Sequence, residues 1–236
     1  MNKLPIIRGL NRTTEIGSDI FAPSIFLDGC NLRCPYCMNS KLVIGSTDTE
    51  ISINQLEKIV QEDKAEWVII SGGEPTCTPV DLLKNLIKII KSWGCKIGVS
   101  TNGTNNATLQ LILRLIDYVA LDIKSDANIY LKIGHNEDFN NLLKSRSVLA
   151  EEKNKRNDFD YEIRTTLYPP FVTRKTINNI GGIIRKDDKW ILQQFRHTDN
   201  MIDPIVININ PYSEEEILEL LNIARIYTQN VELRYV

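Results

Sequence analysis

Three closely spaced cysteines are the residues of this sequence whose chemistry is easiest to define. Cys30, Cys34 and Cys37 have the spacing C-x3-C-x2-C and directly follow an apolar run at residues 24–28. They are too close together to cross-link distant elements, and the odd total of five cysteines does not indicate a secreted disulfide framework. Three thiolates on one short loop can hold three corners of an iron–sulfur cluster and leave the fourth iron open to an outside ligand.

A zinc site is the alternative explanation for these cysteines. A structural zinc site has four protein ligands, but Cys77 and Cys95 lie well downstream and form no second closely spaced pair. His135 and His197 are isolated, and we expect both of them in loops, the second just after the sixth strand. Buried packing is the expected state of the two remaining cysteines. Zinc would therefore need a remote fourth ligand, and a cluster with one open position, a site that does chemistry, is favoured.

Polar residues follow several other apolar runs in the sequence. Two glycines allow the backbone to approach a ligand closely, and the Glu74 carboxylate can accept a hydrogen bond from an ammonium group, although such residues also occur in ordinary turns. Lys124 lies two residues after Asp122, on the same strand face, and can pair with a carboxylate; a surface ion pair between the two is the alternative. The candidates at these strand ends are Gly72, Gly73, Glu74, Asn102, Asp122, Lys124, Arg164 and Gln194.

Short β-rich runs that alternate with helical patterns must position these residues. The predicted strands are residues 24–28, 67–71, 96–100, 118–123, 161–166, 190–195 and 231–235. One helix is predicted from a Thr78 cap to Gly94, and another begins at a capping box of Ser213 and Glu216. Two further helices, at 52–64 and 107–116, have weaker caps, and a last one at 176–185 contains two consecutive glycines. This alternation predicts an α/β fold with parallel crossovers, either an open doubly wound sheet or a partial or full barrel, with ligands at the carboxyl ends of the strands.

Composition limits the classes of function. The net charge is −2, with 42% hydrophobic and 25% charged residues, so nothing indicates binding to nucleic acid or to an anionic membrane surface. No run approaches the roughly 20 apolar residues of a membrane span, and the amino terminus lacks the apolar segment of a secretory signal. We expect a cytoplasmic protein with a single domain over residues 1–236.

The cysteine spacing, with the aromatic Tyr36 before the third cysteine, resembles the radical S-adenosylmethionine superfamily. The resemblance implies a partial (β/α)6 TIM-like barrel with the cluster loop at residues 28–40. It also implies a [4Fe–4S] cluster whose open iron chelates the amino and carboxylate groups of S-adenosylmethionine. Transfer of one electron from the cluster then breaks a carbon–sulfur bond and releases methionine and a 5′-deoxyadenosyl radical.

The resemblance also assigns roles to the candidate residues. Gly72-Gly73-Glu74 is similar to the superfamily motif for the methionine amino group. Asp122 and Lys124 look like the ribose and carboxylate contacts of glycyl-radical enzyme activases. By the same resemblance Arg164 is expected at the charged end of the cofactor and Gln194 near its adenine. The remaining residues expected at the cofactor are Tyr36, Met38 and Asn102.

Longer segments resemble one group of activases, the anaerobic ribonucleoside-triphosphate reductase activating proteins. These segments are residues 161–169, 192–196, 211–216 and 231–234. The implied activity is removal of a hydrogen atom from a glycine Cα of a partner glycyl-radical reductase, with reduced flavodoxin or ferredoxin as electron donor and an anaerobic setting. Two positions depart from the pattern: Met38 stands where these activases commonly have His, and residues 16–21 match poorly.

Two alternative functions remain. A small-molecule radical enzyme such as 7-carboxy-7-deazaguanine synthase is of similar length, but those enzymes usually have Asp-Thr just after the third cysteine, whereas Asn39-Ser40 follows Met38 here. A non-catalytic iron–sulfur protein would need protein ligands at all four cluster corners. The sequence therefore favours an activase over both.

Overall fold

The computed structural model of the chain describes residues 3–13 and 21–235. The poorly matching lead at residues 16–20 lies outside the described residues. The strands are β1 (Ile7–Thr13), β2 (Ala22–Leu27), β3 (Trp67–Gly72), β4 (Lys96–Thr101), β5 (Tyr118–Asp122), β6 (Asp160–Leu167), β7 (Trp190–Gln194) and β8 (Val231–Arg234). The helices are α1 (Ser40–Val43), α2 (Ile53–Glu62), α3 (Val80–Ser92), α4 (Asn106–Ile112), α5 (Ala127–Ile133), α6 (Asp138–Lys155), α7 (Arg174–Gly181) and α8 (Glu214–Ala224).

All eight strands belong to one sheet, in which they follow each other in sequence order. β1 runs antiparallel to β2, and every other neighbouring pair is parallel. The parallel strands from β2 to β7, with helices in each connection, form the predicted partial (β/α)6 barrel, and β8 extends it by one strand. β1 and β8 are the two ends of the sheet, so in the described part of the chain the barrel stays open on one side.

Strand β6 shows how the sheet separates the core from the site. Tyr161, Ile163 and Leu167 are buried in the main hydrophobic core together with the apolar faces of the helices. Because side chains alternate along a strand, Glu162 and Arg164 lie on the opposite face, toward the inside of the barrel. The core therefore fixes the strand, and the inner face is left for polar residues.

Local signals in the sequence explain where several helices begin. Ser52 caps α2 with a full capping box in which its side chain accepts from the Gln55 amide and Gln55 reaches back to the Ser52 amide, so the expectation of a weak cap there was wrong. The capping box of Ser213 and Glu216 at α8 is confirmed. The prediction of Thr78 as a helix cap was wrong, because its amide bonds to Pro75 at the end of a short 3-10 turn and α3 begins only after Pro79.

Other differences from the predicted elements concern the segments with weak patterns. α4 ends at Ile112 and continues as a 3-10 turn, Leu113–Leu115, instead of running to residue 116. α7 begins at Arg174, behind a Thr173 cap, and ends at Gly181. Strand β1 and helices α1, α5 and α6 were not predicted. None of the described helices is long and apolar enough to cross a membrane.

Candidate active site

A cavity of about 220 Å³ lies at the carboxyl ends of the parallel strands, above the inner face of the sheet. Every residue that the sequence analysis selected lines this cavity, including the three closely spaced cysteines and all ten candidates for cofactor contacts. The sequence analysis missed part of the lining, although these residues adjoin or alternate with predicted ones. They are Leu32, Asn39, Val43, Ser71, Ser100, Thr101, Thr166, Gln193, Phe195 and Arg196.

Two glycines bring the end of β3 against the loop that carries the cysteines. The Gly73 amide donates to the Leu27 carbonyl at 2.9 Å, and the Glu74 amide donates to the Gly29 carbonyl at 2.7 Å. A Cβ on Gly73 would stand 2.0 Å from the Gly29 carbonyl oxygen, and Gly72 has a φ of +119° with no room beside Leu27. The glycines were expected to allow close approach of a ligand, and in this structure they allow close approach of a neighbouring backbone.

The cysteine loop is also held from its other side. The Arg33 amide donates to the Ile133 carbonyl at the end of α5 at 2.7 Å. The Asp203 amide, in the long connection between β7 and α8, donates to the Pro35 carbonyl at 3.0 Å. The loop is therefore fixed by segments that lie far from it in sequence.

The three cysteine thiols differ from ordinary surface thiols because they are partly or fully buried. Burial raises the pKa of Cys30 and of Cys34 to about 12, and it also raises the pKa of Cys37. Such thiols stay protonated in the empty protein, and they release their protons when they become metal ligands. The site therefore suits a group that binds thiolates strongly.

The donor set fits a multinuclear cluster better than a single metal ion. Among the described residues, no three His, Cys, Asp or Glu side chains converge as ligands of one metal ion. In a [4Fe–4S] cluster each cysteine binds a different iron, so such convergence is not needed. The Leu32 amide already donates to the Cys30 sulfur at 3.4 Å, and the hydroxyl of Tyr36 is a buried polar atom without a partner in the described structure. Both observations agree with a thiolate-bound group at this loop.

Glu74 is a buried carboxylate that joins the ends of β3 and β4. Its Oε1 atom accepts hydrogen bonds from the Thr76 amide at 2.9 Å and from the Thr76 and Thr101 hydroxyls, both at 2.6 Å. Its Oε2 atom accepts from the Asn102 amide at 2.6 Å. Burial raises the pKa of Glu74, and these four donors oppose the increase. Oε2, with a single donor, keeps capacity to accept another hydrogen bond.

The Asn102 side chain connects β4 to the cysteine loop. Its Nδ2 group donates to the Asn31 side chain at 3.0 Å and lies 3.9 Å from the Cys30 sulfur. Its Oδ1 atom accepts from the Thr104 amide at 2.9 Å. Asn102 therefore orients the loop in addition to lining the cavity.

Asp122 and Lys124 form an ion pair in the wall of the cavity. The Lys124 Nζ atom lies 2.9 Å from Asp122 Oδ2, and the side chains are 19% and 24% exposed. Burial would lower the pKa of Lys124, but the neighbouring acidic groups, with Asp122 first among them, together raise it. The pair is thus a cavity feature, and the alternative of a mere surface pair does not describe it.

Arg164 belongs to a buried ionic network that the sequence analysis did not detect. Its Nε atom lies 2.5 Å from Glu162 Oε1, and Glu162 is fully buried on the same strand face. Arg234 of β8 binds both Glu162 oxygens, at 2.8 and 3.1 Å. Residues of β6 and β8, 72 positions apart, thereby hold the guanidinium that lines the cavity.

Aromatic rings surround Tyr36 at the base of the cysteine loop. Its ring centroid lies 4.7 Å from that of Tyr168, 5.7 Å from Phe171 and 6.3 Å from Phe195. Phe195 follows Gln194 and also lines the cavity, whereas Met38 is 42% exposed at its rim. The expected adenine region therefore has an aromatic wall.

The predictions for the two remaining cysteines and for the two histidines are confirmed except for that of Cys77. Cys95 is buried as expected, but Cys77 is exposed and lies outside the cavity lining, so the prediction that it is buried was wrong. Cys77 is the last residue of a 3-10 turn, Pro75–Cys77, and its thiol donates to the Asn31 side chain at 3.5 Å. His135 lies in a loop, and His197 lies just after β7, where its Nε2 atom is 2.6 Å from the Ile209 carbonyl.

A partial parallel barrel with three loop cysteines at the carboxyl ends of its strands defines a cofactor-dependent enzyme site. The model of the Radical SAM superfamily matches residues 24–163 of the chain. The chain belongs to the radical SAM superfamily, whose enzymes use a [4Fe–4S] cluster and S-adenosylmethionine.

Similar proteins include activating enzymes and a synthase. A protein of Methanocaldococcus jannaschii named "putative glycyl-radical enzyme activating enzyme" is 31% identical over 89% of this chain and 87% of its own length. The pyruvate formate-lyase-activating enzyme of Clostridium pasteurianum is 31% identical over 42% of this chain and 44% of its own. The 7-carboxy-7-deazaguanine synthase of Methanopyrus kandleri is 29% identical over 46% of this chain and 52% of its own.

Solved structures with low sequence identity share the fold. A radical SAM methyltransferase from Sphaerobacter thermophilus superposes with a TM-score of 0.66 at 14% identity, over 91% of this chain and 66% of the other. A domain of a pyruvate formate-lyase-activating enzyme from Bacteroides vulgatus has a TM-score of 0.54 at 19% identity, over 72% of this chain and 98% of the other. These matches confirm the predicted architecture.

Proposed function

We propose that this chain is a glycyl-radical enzyme activase that cleaves S-adenosylmethionine reductively and removes a hydrogen atom from a glycine Cα of an anaerobic ribonucleotide reductase. The observation that carries the proposal is the single cavity on which the three loop cysteines and all the selected polar residues converge. Similarity to a protein named as an activating enzyme over 89% of the chain supports the class of substrate. The reductase as the particular partner is supported by the resemblance of residues 161–169 and 211–216.

The cysteine loop has the clearest role in this proposal. Cys30, Cys34 and Cys37 would hold the [4Fe–4S] cluster, which when bound supplies an open iron and one electron for cleavage of the cofactor. The chain's own contribution is to fix the loop through Gly73, Glu74 and Asn102, so that the thiols keep their relative positions. We also propose that residues 1–236 act as one domain and that reduced flavodoxin or ferredoxin supplies the electron.

The polar walls of the cavity would bind S-adenosylmethionine. Oε2 of Glu74, with capacity for one more hydrogen bond, would accept from the methionine ammonium beside the Gly72-Gly73 backbone. Asp122 would hold the ribose hydroxyls, while Lys124 and Arg164 would face the carboxylate. The rings near Tyr36, together with Met38 and Gln194, would enclose the adenine. The aromatic wall would help to exclude water from this region when the cofactor is bound, which favours radical chemistry.

A 7-carboxy-7-deazaguanine synthase is the second candidate, because such a synthase is 29% identical over 46% of the chain. That enzyme class acts on a small molecule and needs no partner protein. The residues after the third cysteine, Met38-Asn39-Ser40, depart from the Asp-Thr that these synthases usually have. We therefore rank the synthase below the activase.

The test is an anaerobic reconstitution with iron and sulfide, followed by reduction with dithionite and addition of S-adenosylmethionine. We expect 5′-deoxyadenosine and a cofactor-dependent change in the electron paramagnetic resonance of the cluster. Candidate reductases are then added, and a glycyl radical signal identifies the partner. A pterin substrate that is consumed without any protein partner would instead support the synthase.

Matched cysteine variants make this test specific. Cys34→Ala should lose the cluster and all cleavage of S-adenosylmethionine, whereas Cys77→Ala, at an exposed thiol outside the cavity, should keep both. A Cys34→Ala protein that still cleaves the cofactor would contradict the ligand assignment. Cleavage by the wild type without a glycyl radical on any reductase would contradict the choice of partner.

A further inference from the structure

Tyr130 is a fully buried tyrosine of α5 whose hydroxyl binds the backbone at the end of β5. It lies outside the lining of the cavity. The hydroxyl accepts a hydrogen bond from the Lys124 amide at 3.1 Å and donates one to the Asp122 carbonyl at 3.4 Å. Asp122 and Lys124 are the two residues whose side chains form the ion pair in the cavity wall. A single hydroxyl therefore holds the backbone of both.

The end of β5 needs such a partner because its neighbour β4 ends earlier. β4 ends at Thr101, which stands opposite Leu121. On the other side, the Ile123 amide donates to a carbonyl of β6 at 2.8 Å. Successive amides of a strand point toward opposite neighbours, so the Lys124 amide points to the place where β4 would continue. A hydroxyl can donate and accept, and that of Tyr130 thus takes the place of a peptide group there.

The helix that carries Tyr130 also holds the cysteine loop. The Ile133 carbonyl, at the end of α5, accepts from the Arg33 amide at 2.7 Å. Tyr130 and Ile133 are three residues apart, which is about one helical turn. The Tyr130 ring packs against Phe139 of α6, with 5.4 Å between the ring centroids. Helix α5 is thereby a brace between the end of β5 and the cysteine loop.

We propose that Tyr130 is a positioning residue whose hydroxyl holds the Asp122 and Lys124 side chains where the cavity binds S-adenosylmethionine. The inference rests on the proposed function, in which these side chains contact the ribose and the carboxylate. Without the hydroxyl, the Lys124 amide would be a buried donor that has lost its partner, and the strand end would shift. A displaced pair would contact the cofactor less well. The cluster should be unaffected, because the bond between Arg33 and Ile133 does not involve the hydroxyl.

The test compares Tyr130→Phe, which keeps the ring and removes the hydroxyl, with wild type after anaerobic reconstitution. The Kd of S-adenosylmethionine is measured by isothermal titration calorimetry. We expect it to rise about 3- to 10-fold, the size of one lost hydrogen bond, with the iron and sulfide content of the wild type. The matched control is Tyr212→Phe, which removes a hydroxyl that donates to the Val172 carbonyl at 2.9 Å, outside the cavity lining. Its Kd should equal that of the wild type.

Two further readouts separate this role from a structural one. Tyr130→Phe is combined with Lys124→Ala, which removes one of the side chains that Tyr130 would position. The Tyr130→Phe change should then raise the Kd by a smaller factor than in the wild-type background, because residues that act through each other are not additive. Amide exchange of the empty proteins, followed by nuclear magnetic resonance, should be faster at Lys124 in Tyr130→Phe and unchanged at Ile123, whose amide binds β6.

Several results would overturn the inference. An unchanged Kd in Tyr130→Phe would do so, and so would an equal rise in Tyr212→Phe. The same factor in the Lys124→Ala background would show that the hydroxyl acts by another route, and a lower cluster content in Tyr130→Phe would place its effect at the cysteine loop. Failure of the proposed function is recognised separately, since the wild type itself would then bind no S-adenosylmethionine.

Discussion

Gly73 and Glu74 bring two distant parts of the chain into close backbone contact. Their amides bind the carbonyls of Leu27, at the end of β2, and of Gly29, in the cysteine loop, and the Glu74 carboxylate binds the end of β4. Two consecutive residues therefore fix both the loop and the cofactor wall. There is no space for a Cβ atom at Gly73, so no other residue fits at this position without displacing the loop.

Substitution of Gly73 by Ala should separate the end of β3 from the cysteine loop, because the new Cβ would stand 2.0 Å from the Gly29 carbonyl oxygen. We expect a loss of about 1–3 kcal/mol in the free energy of unfolding, as for other overpacked sites, and a lower iron and sulfide content after reconstitution. The measurements are urea denaturation and metal analysis. Gly182→Ala is the control, since its Cβ would meet the nearest atom at 3.5 Å. Full cluster content in Gly73→Ala would contradict the role of this contact.

At the scale of elements, the ionic network of Glu162 joins the middle of the sheet to its last strand. Arg164 on β6 and Arg234 on β8 both bind the buried Glu162 carboxylate. Burial would raise the pKa of Glu162, but the two guanidiniums outweigh this and hold the pKa below its ordinary value of 4.5. The folded protein therefore binds a proton at Glu162 less readily than the unfolded chain does.

Because of this network, the free energy of unfolding should decrease as the pH falls. The stabilisation by ionised Glu162 is complete above about pH 4.5 and is lost as the pH falls through the lowered pKa of the folded state. Glu162→Gln should be less stable at pH 7, by up to about 3–5 kcal/mol, and should lose less further stability than wild type between pH 6 and pH 3. Urea denaturation across this range tests both effects. Glu50→Gln, at an exposed residue, should lose as much stability as the wild type between pH 6 and pH 3. If Glu162→Gln also lost as much stability as the wild type over this range, the linkage to Glu162 would be refuted.

The sequence predicted those elements whose signals are local. The apolar runs of β3, β4 and β5 indicated buried parallel strands, and the cysteine spacing indicated the site. Strand β1 was not predicted, because its residues include the polar Arg8, Asn11 and Arg12 and because its antiparallel pairing with β2 has no signal in the sequence alone. Helix α6 was not predicted, because its apolar residues do not lie along one face of the helix.

The partners of the site residues could not be predicted in the same way. Each candidate side chain was found from its position after a strand, but its hydrogen bonds come from residues far away in sequence. Glu74 and Thr101 are 27 positions apart, and Glu162 and Arg234 are 72 apart. Such pairings depend on the register of neighbouring strands, which only the folded structure fixes.

On the scale of the whole molecule, the cysteine loop is a junction between distant segments. It receives the amides of Glu74 and Asp203, donates the Arg33 amide to the end of α5, and contacts the Asn102 side chain. A group that fixes the loop should therefore stabilise all these segments together, because the binding free energy of a cofactor adds to the folded state.

Hydrogen–deuterium exchange of empty and reconstituted protein should reveal this coupling. We expect slower exchange after reconstitution at the amides of Glu74 and Asp203, which bind the loop from outside, as well as within residues 28–40. Helix α8, which has no described hydrogen bond to the loop, serves as the internal control and should change little. Protection confined to residues 28–40 would show that the junction transmits no stabilisation.

The sequential order of the strands leaves two edge strands, β1 and β8, where another chain could add a strand, although an antiparallel bridge to Ile51 covers β1 at Ile7. Charged side chains occupy both edges: Arg8 and Arg12 on β1 pair with Asp28 and Asp63, and Glu232 on β8 pairs with Lys189. If another chain paired with either edge, these charged groups would lose their hydration without gaining a compensating partner, which is unfavourable. The charged side chains at both edges therefore disfavour edge-to-edge aggregation of the barrel.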